Sequence, residues 1–133
     1  ESGLTGRVLL MGQVADVGGL LKQADAYVLS SSYEGFPNSL CEAMAAGLAC
    51  VSTNCPSGPG EVVDNGENGL LVTVDDAEAL AAALSSIMRD AALRERLGTR
   101  AKNICQRFSL SQVMAQWQGV VTQCTEIRTG GGR

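Results

Sequence analysis

Four short apolar blocks recur along the first 74 residues, and their spacing restricts the fold more than any other feature of the chain. They read RVLLMG (7–12), AYVLSS (26–31), LACVST (48–53) and GLLVTV (69–74). None alternates cleanly between apolar and polar residues, as expected of parallel strands buried on both faces. Helix-length segments separate them, at about 17–24, 39–46 and 60–64. Strand–helix–strand alternation at this spacing predicts an α/β domain with a parallel sheet of four strands.

Beyond the fourth block the pattern is helical only. Asp75 or Asp76 can cap a helix reaching about Arg89, with Leu80, Leu84, Ile87 and Met88 on its inner face. A second helix is predicted over about 91–106 and a third over about 110–124. The third, capped by Ser109 or Ser111, carries Leu110, Val113, Met114, Trp117, Val120, Val121 and Cys124 on one stripe. That stripe reads as packing surface, with a partner-facing role as the sharper alternative. RTGGGR (128–133) reads as a flexible tail or a cloning scar.

Composition removes several function classes. A chain of 133 residues is long enough for one domain, and 45% hydrophobic residues exclude disorder. Ten Lys and Arg against 14 Asp and Glu give a net charge of −4, which argues against a binder of nucleic acid or anionic membranes. There is no histidine, so Ser-His and Cys-His dyads and His-ligated metal sites are excluded. Five cysteines cannot all pair within the chain and none is spaced C-x-x-C, which points to a reduced, cytoplasmic protein. The longest apolar run, about 79–88, is far short of the roughly 20 residues a membrane helix needs, and no secretory leader is visible.

Turn residues are densest in SSSYEGFPNSLCEAMAAG (30–47), directly after the second block. In an open parallel sheet, ligands bind where the carboxyl ends of strands meet such loops. The helix beginning near Ser39 offers unpaired N–H groups and partial positive charge, suited to phosphate. Glu34 falls at the strand exit and Glu42 one turn into the helix, where the two carboxylates could flank one pocket. A structural reading stands beside this one. Ser39 and Glu42 have capping-box spacing, and Glu34 in a glycine turn could be an ordinary solvated carboxylate.

The run EGFPNSLCEAMAAGLACVST, followed by CPSGPGEVVDNGENGLLV, resembles the family 4 retaining glycosyltransferases of GT-B architecture. Glu34 and Glu42, Ala43, Gly47, Val51, the loop 55–61, Gly66, Gly69 and residues 70–72 carry the match. The upstream block 8–12 and Ala24-Asp25 continue it, so it spans about residues 7–117. The resemblance implies a partial doubly wound, Rossmann-like sheet followed by three helices, with residues 1–127 as an incomplete C-terminal nucleotide-sugar-binding domain. It implies that Glu42 holds ribose hydroxyls of a nucleotide-sugar and that Glu34, the catalytic candidate, lies beside the transferred sugar. Backbone amides around Gly35, Phe36, Asn38, Ser39 and Leu40 would meet sugar hydroxyls and diphosphate. Gln13 and Val14 would lie by the nucleobase, and the turn ending at Glu61 would close the far side. Pro37 stands where the family pattern often has glycine, and it has no N–H to donate. The resemblance further implies retention by same-face attack, with no metal and no cofactor beyond the donor itself.

Charge is segregated along the chain. Between Lys22 and Arg89 there is no Lys or Arg, while Asp25, Glu34, Glu42, Glu61, Asp64, Glu67, Asp75, Asp76 and Glu78 intervene. A segment expected to hold diphosphate thus brings no cation, which the resemblance assigns to an upstream strand–loop–helix. By the same likeness the four blocks are strands 3 to 6 of the order 3-2-1-4-5-6. Block 7–12 would then pair directly with 26–31 or with a second copy of the chain, since exposed strand edges invite pairing. The expected partners are a nucleotide-sugar donor and, through a separate N-terminal domain, a glycan or lipid-linked acceptor. The parent would be cytoplasmic, working at the inner membrane face in cell-surface polysaccharide synthesis, and the chain alone would be inactive. A sugar-nucleotide epimerase and a non-catalytic α/β binding module are the competing readings.

Overall fold

The computed structural model describes residues 3–130. Its elements run α1 (Val17–Leu21), β1 (Ala26–Leu29), α2 (Asn38–Ala46), β2 (Ala49–Thr53), α3 (Pro59–Val62), β3 (Leu70–Val72), α4 (Ala77–Arg89), α5 (Ala91–Ala101), α6 (Ile104–Arg107) and α7 (Leu110–Gly130). The three strands form one parallel sheet in the order β1-β2-β3. Ala26 pairs with Ala49 through to Leu29 with Ser52, and Val51 pairs with Leu70 through to Thr53 with Val72. The α/β class and the parallel sheet agree with the sequence pattern.

All five residues of β2 are buried, which explains its unbroken small-apolar composition. Cys50 faces a cluster built by Leu40, Ala43, Met44, Val62, Ala101 and Ile104. Ala49 and Val51 face the opposite cluster, with Ile87 and Leu97 at its centre and Leu80, Leu84 and Leu93 around it. The sheet is therefore covered on both sides, by α2 with α6 and by α4 with α5.

The first block departs from expectation. Residues 7–12 form no strand, so the sheet has three strands among the described residues rather than four. Val8, Leu9, Leu10 and Met11 follow an irregular, exposed path, and Leu10 is 97% accessible. A strand needs a hydrogen-bonded neighbour, and β1 pairs with β2 alone, so the block does not pair with 26–31 as proposed from sequence.

Local corrections follow from backbone geometry. Asp76, not Asp75, caps α4, accepting from the Ala79 N–H at 2.8 Å, while Asp75 takes a left-handed φ of +63° in the preceding turn. The helix expected over 91–106 is two helices. At Lys102 and Asn103 the chain tightens into i→i+3 bonds, Asn103 N–H to Arg100 O at 3.1 Å and Cys105 N–H to Lys102 O at 3.1 Å. Four helices therefore follow β3, not three. Residues 128–130 continue α7, against the expected tail, and 131–133 lie outside the described residues. The α7 stripe is not packed on the body: Leu110, Met114, Val120 and Val121 are exposed, and Trp117 is 62% accessible.

A close backbone approach lies where α2 turns into β2. Gly47 takes φ +84° and ends α2 with two reversed bonds, Gly47 N–H to Met44 O at 2.9 Å and Leu48 N–H to Ala43 O at 3.1 Å. Buried Gly98 of α5 lies against this turn, and a Cβ at 98 would collide with the Gly47 carbonyl oxygen. Helix propensity favours alanine over glycine by about 1 kcal/mol. Here overpacking against backbone, at about 1–3 kcal/mol, should prevail. Gly98→Ala is accordingly expected to lower the thermal midpoint, and an unchanged or raised midpoint in calorimetry would contradict the packing described.

The five cysteines are free thiols. Burial, reinforced by the neighbouring Cys41, pushes the Cys50 thiol up to about 12, so it is a thiol and not a thiolate at neutral pH. Cys105 is exposed, and so is Cys124, which the sequence pattern places on the packing stripe of the last helix. Titration with an aromatic disulfide at pH 8 should label Cys105 and Cys124 promptly and reach Cys50 only after unfolding.

Candidate functional site

Parallel strands place their carboxyl ends on one edge of the sheet, and the loops leaving that edge carry most of the candidate residues. Three contacts order the loop between β1 and α2. Thr53, at the end of β2, donates its hydroxyl to the Ser31 carbonyl at 2.5 Å. Ser31 Oγ donates to Glu34 Oε1 at 2.6 Å, a short charge-assisted bond that fixes the carboxylate of the half-buried Glu34. The Asn38 N–H then bonds the Phe36 carbonyl at 2.9 Å as the chain enters α2.

The second loop, between β2 and α3, packs against the first. Gly58, at φ +148°, lies so close to Pro37 that a Cβ there would sit 2.8 Å from the proline Cδ and 3.6 Å from Glu34 Cβ. Pro37 is fully buried, so the residue that departs from the family pattern serves as a packing block between the loops. Ser57 beside it holds a left-handed φ of +62°, a conformation costly for a residue with a Cβ. Glu61 is exposed in the first turn of α3.

Helix α2 starts two residues earlier than a Ser39 cap would require. Pro37 is the N-cap, no side chain caps the helix, and the capping box between Ser39 and Glu42 is absent. Ser39 Oγ instead accepts from the Tyr27 hydroxyl at 2.8 Å. The first intrahelical bond runs from Cys41 N–H to Pro37 O at 3.0 Å and the Asn38 N–H is taken by the Phe36 carbonyl, so among the first-turn N–H groups that of the exposed Ser39 is open to a ligand. Leu40 is fully buried, backbone included, so the Leu40 amide expected to meet the donor is covered by the core and Ser39 is the exposed first-turn residue beside it.

Glu42 is exposed and lies in a groove of about 680 Å³ between α1 and α2. Val17, Gly18, Leu21 and Lys22 line one wall, with Ala45, Ala46 and Lys102 on the other. Glu34 does not line this groove, so the structure does not join the two carboxylates in one cavity. Gln13 and Val14 precede α1, whose start is capped by Asp16 accepting the Gly19 N–H at 2.8 Å.

Sequence reasoning missed the residues that meet the first loop from behind. The Phe36 ring packs edge-on against Phe108, with centroids 5.4 Å apart and planes at 69°. The Arg107 guanidinium lies 5.6 Å from the Phe108 centroid. Burial raises the Cys41 thiol pKa and Glu42 adds to this, while the Arg107 charge opposes it, so Arg107 acts near the first turns of α2. No local sequence signal links positions 36 and 108; only folding brings them together. The three arginines of α5 serve structure. Arg94 bonds the Ile87 carbonyl near the end of α4 at 2.7 Å, Arg96 bonds the Gly66 carbonyl at 3.1 Å, and Arg100 pairs with Glu67. The last pair is exposed on both sides and contributes about 0–1 kcal/mol.

Comparison with known proteins gives this geometry a family. Residues 1–104 match the family described as Glycosyl transferases group 1. The lipopolysaccharide core biosynthesis glycosyltransferase LpsE of Rhizobium meliloti is 41% identical over 100 residues, covering 75% of this chain and 29% of LpsE. The N-acetyl-alpha-D-glucosaminyl L-malate synthase of Bacillus anthracis is 31% identical over 115 residues, covering 86% of this chain and 30% of that enzyme. Among solved structures, Anabaena HepE in complex with UDP superposes with a TM-score of 0.84 at 27% identity, over 91% of this chain and 34% of HepE. The chain thus spans about a third or less of these relatives. Its sheet and helices are those of a GT-B, Rossmann-like lobe, and it belongs to the Glycosyl transferases group 1 family.

Proposed function

We propose that this chain is the donor-binding part of a retaining glycosyltransferase, with the family's relatives in lipopolysaccharide and polysaccharide synthesis suggesting a cell-surface glycan as product. The observation that carries this is the uncapped start of α2 beside Glu34, at the carboxyl edge of a parallel sheet, in a fold shared with a protein crystallised with UDP and with UDP-glucose. The amide of Ser39 would receive the diphosphate, Glu42 the ribose hydroxyls, and Glu34 the sugar. Asn38 and the backbone of Gly35 and Phe36 complete that side, Gln13 and Val14 the base side, and Glu61 the far wall.

The chemistry follows from positioning. The acceptor oxygen attacks the anomeric carbon on the face the leaving group departs from. The bond from that carbon to phosphate oxygen breaks, and the acceptor proton passes to the departing phosphate. The reaction asks for stabilisation of the leaving diphosphate, which helix amides supply without a metal. One helix terminus contributes about 0.3–1 kcal/mol, so cations from elsewhere in the parent are part of this reading. The acceptor, glycan or lipid-linked, would bind a further domain. Residues 1–127 are the donor lobe in this reading. The cytoplasm, at the inner membrane face, is its place of work, and among the described residues no helix is long and apolar enough to cross a membrane.

Glu42 separates this reading from a structural one, because it is exposed and caps nothing. In the full-length protein carrying this chain, Glu42→Ala should raise the dissociation constant for UDP-glucose, or for the donor that binds best, by about tenfold or more. The thermal midpoint should stay nearly unchanged. Calorimetric titration showing wild-type affinity would return Glu42 to the surface. The chain by itself should release no nucleoside diphosphate from a sugar donor in a coupled assay, and turnover by it would overturn the fragment reading.

A further inference from the structure

The chain contains two phenylalanines, and they touch each other. Neither is in the core: Phe36 and Phe108 are both partly exposed, and the buried residues of the clusters on either side of the sheet are aliphatic, methionine or cysteine instead. A pair of rings 72 positions apart in the chain, left at the surface, gains less from burial than either would in the core. What the contact does supply is a fixed position for the loop that carries Phe36.

The rest of that loop shows why such a support matters. Its β1 end is held by Thr53 through the Ser31 carbonyl, and its α2 end by Pro37 against Gly58. At the tip, Gly35 is exposed, and a side chain placed there would meet nothing within 4 Å. Phe36 follows this open glycine and immediately precedes Pro37 and the uncapped first turn of α2. A swing of the tip would move the Phe36 carbonyl, which receives the Asn38 N–H, and with it the entry into the helix. Phe108 is well placed to resist that swing. It is the C-cap of α6, set between two helices, and Arg107 lies beside its ring.

Resting on the donor-site reading above, we propose that Phe108, steadied by Arg107, is a positioning residue for the donor loop. It holds Phe36, and through it the amides at the start of α2, in the arrangement that receives a nucleoside diphosphate. The contact requires an aromatic edge or face at 108, so tyrosine should serve and leucine should not.

The test uses the full-length protein carrying this chain, with UDP and UDP-glucose as probes and calorimetric titration as the readout. Phe108→Leu should raise the dissociation constant by about three- to tenfold, the equivalent of one aromatic pair. Phe108→Tyr should restore it to within about twofold of wild type. Leu80→Ala, packed in the cluster on the other face of the sheet, controls for general destabilisation. It should lower the thermal midpoint and leave affinity unchanged. If Phe108→Leu binds as wild type while Glu42→Ala does not, the positioning role is overturned and the donor site stands. If Leu80→Ala weakens binding as much as Phe108→Leu, the effect is one of stability and the proposal fails. If Glu42→Ala also binds as wild type, the donor-site reading itself fails, and this proposal with it.

Discussion

The double burial of β2 is the constraint on which the other elements depend, because a strand with no solvent face dictates what lies on each side. Ala49 and Val51 meet Ile87 and Leu97, while Cys50 meets Leu40 and Met44. Small side chains at 49 and 50 let the helices approach closely, and Gly98 carries this to its limit against the Gly47 turn. The Cys50 thiol follows from the same burial, held protonated where a charge would have no water. Parallel pairing on both edges of β2 then directs the three strand exits to one side, and the site loops gather there.

At that edge the loops are ordered by each other rather than by their own sequences. Glu34 is fixed through Ser31, Ser31 through Thr53, and Pro37 by the missing side chain of Gly58. This explains why the proline that costs the loop an N–H is tolerated: the same ring is a packing surface between the two loops. The absence of a capping box frees Glu42 from a local duty. Its carboxylate lies in the groove between α1 and α2, apart from Glu34, and Lys22 and Lys102 line the same groove.

Charge segregation along the chain looked like a pocket deprived of cations. Folding returns part of the balance, to the groove of Glu42 through Lys22 and Lys102 and otherwise away from the site loops. Arg96 and Arg100 come back to the acidic turn at Gly66 and Glu67, and Arg94 to the last carbonyls of α4. Arg107 reaches the neighbourhood of the first turns of α2, where it accompanies Phe108, while Lys22 and Lys102 line the groove that holds Glu42.

The sequence by itself determined the α/β class, the parallel sheet, the helix α2 after the Glu34 loop, and the family, because each is written in local period, turn residues and an ordered motif. A cap at Asp75 or Asp76 was legible as well, since capping acts within a few residues, and the backbone geometry then chose Asp76. Only the tertiary structure decided that RVLLMG is not a strand, since an apolar block becomes one only when a neighbour takes its hydrogen bonds. It decided that Ser39 bonds Tyr27 rather than capping α2, and that the helix expected over 91–106 breaks at Lys102 and Asn103. It also decided that the two phenylalanines face each other. These outcomes turn on contacts between residues far apart in the chain, whose energies no local window contains.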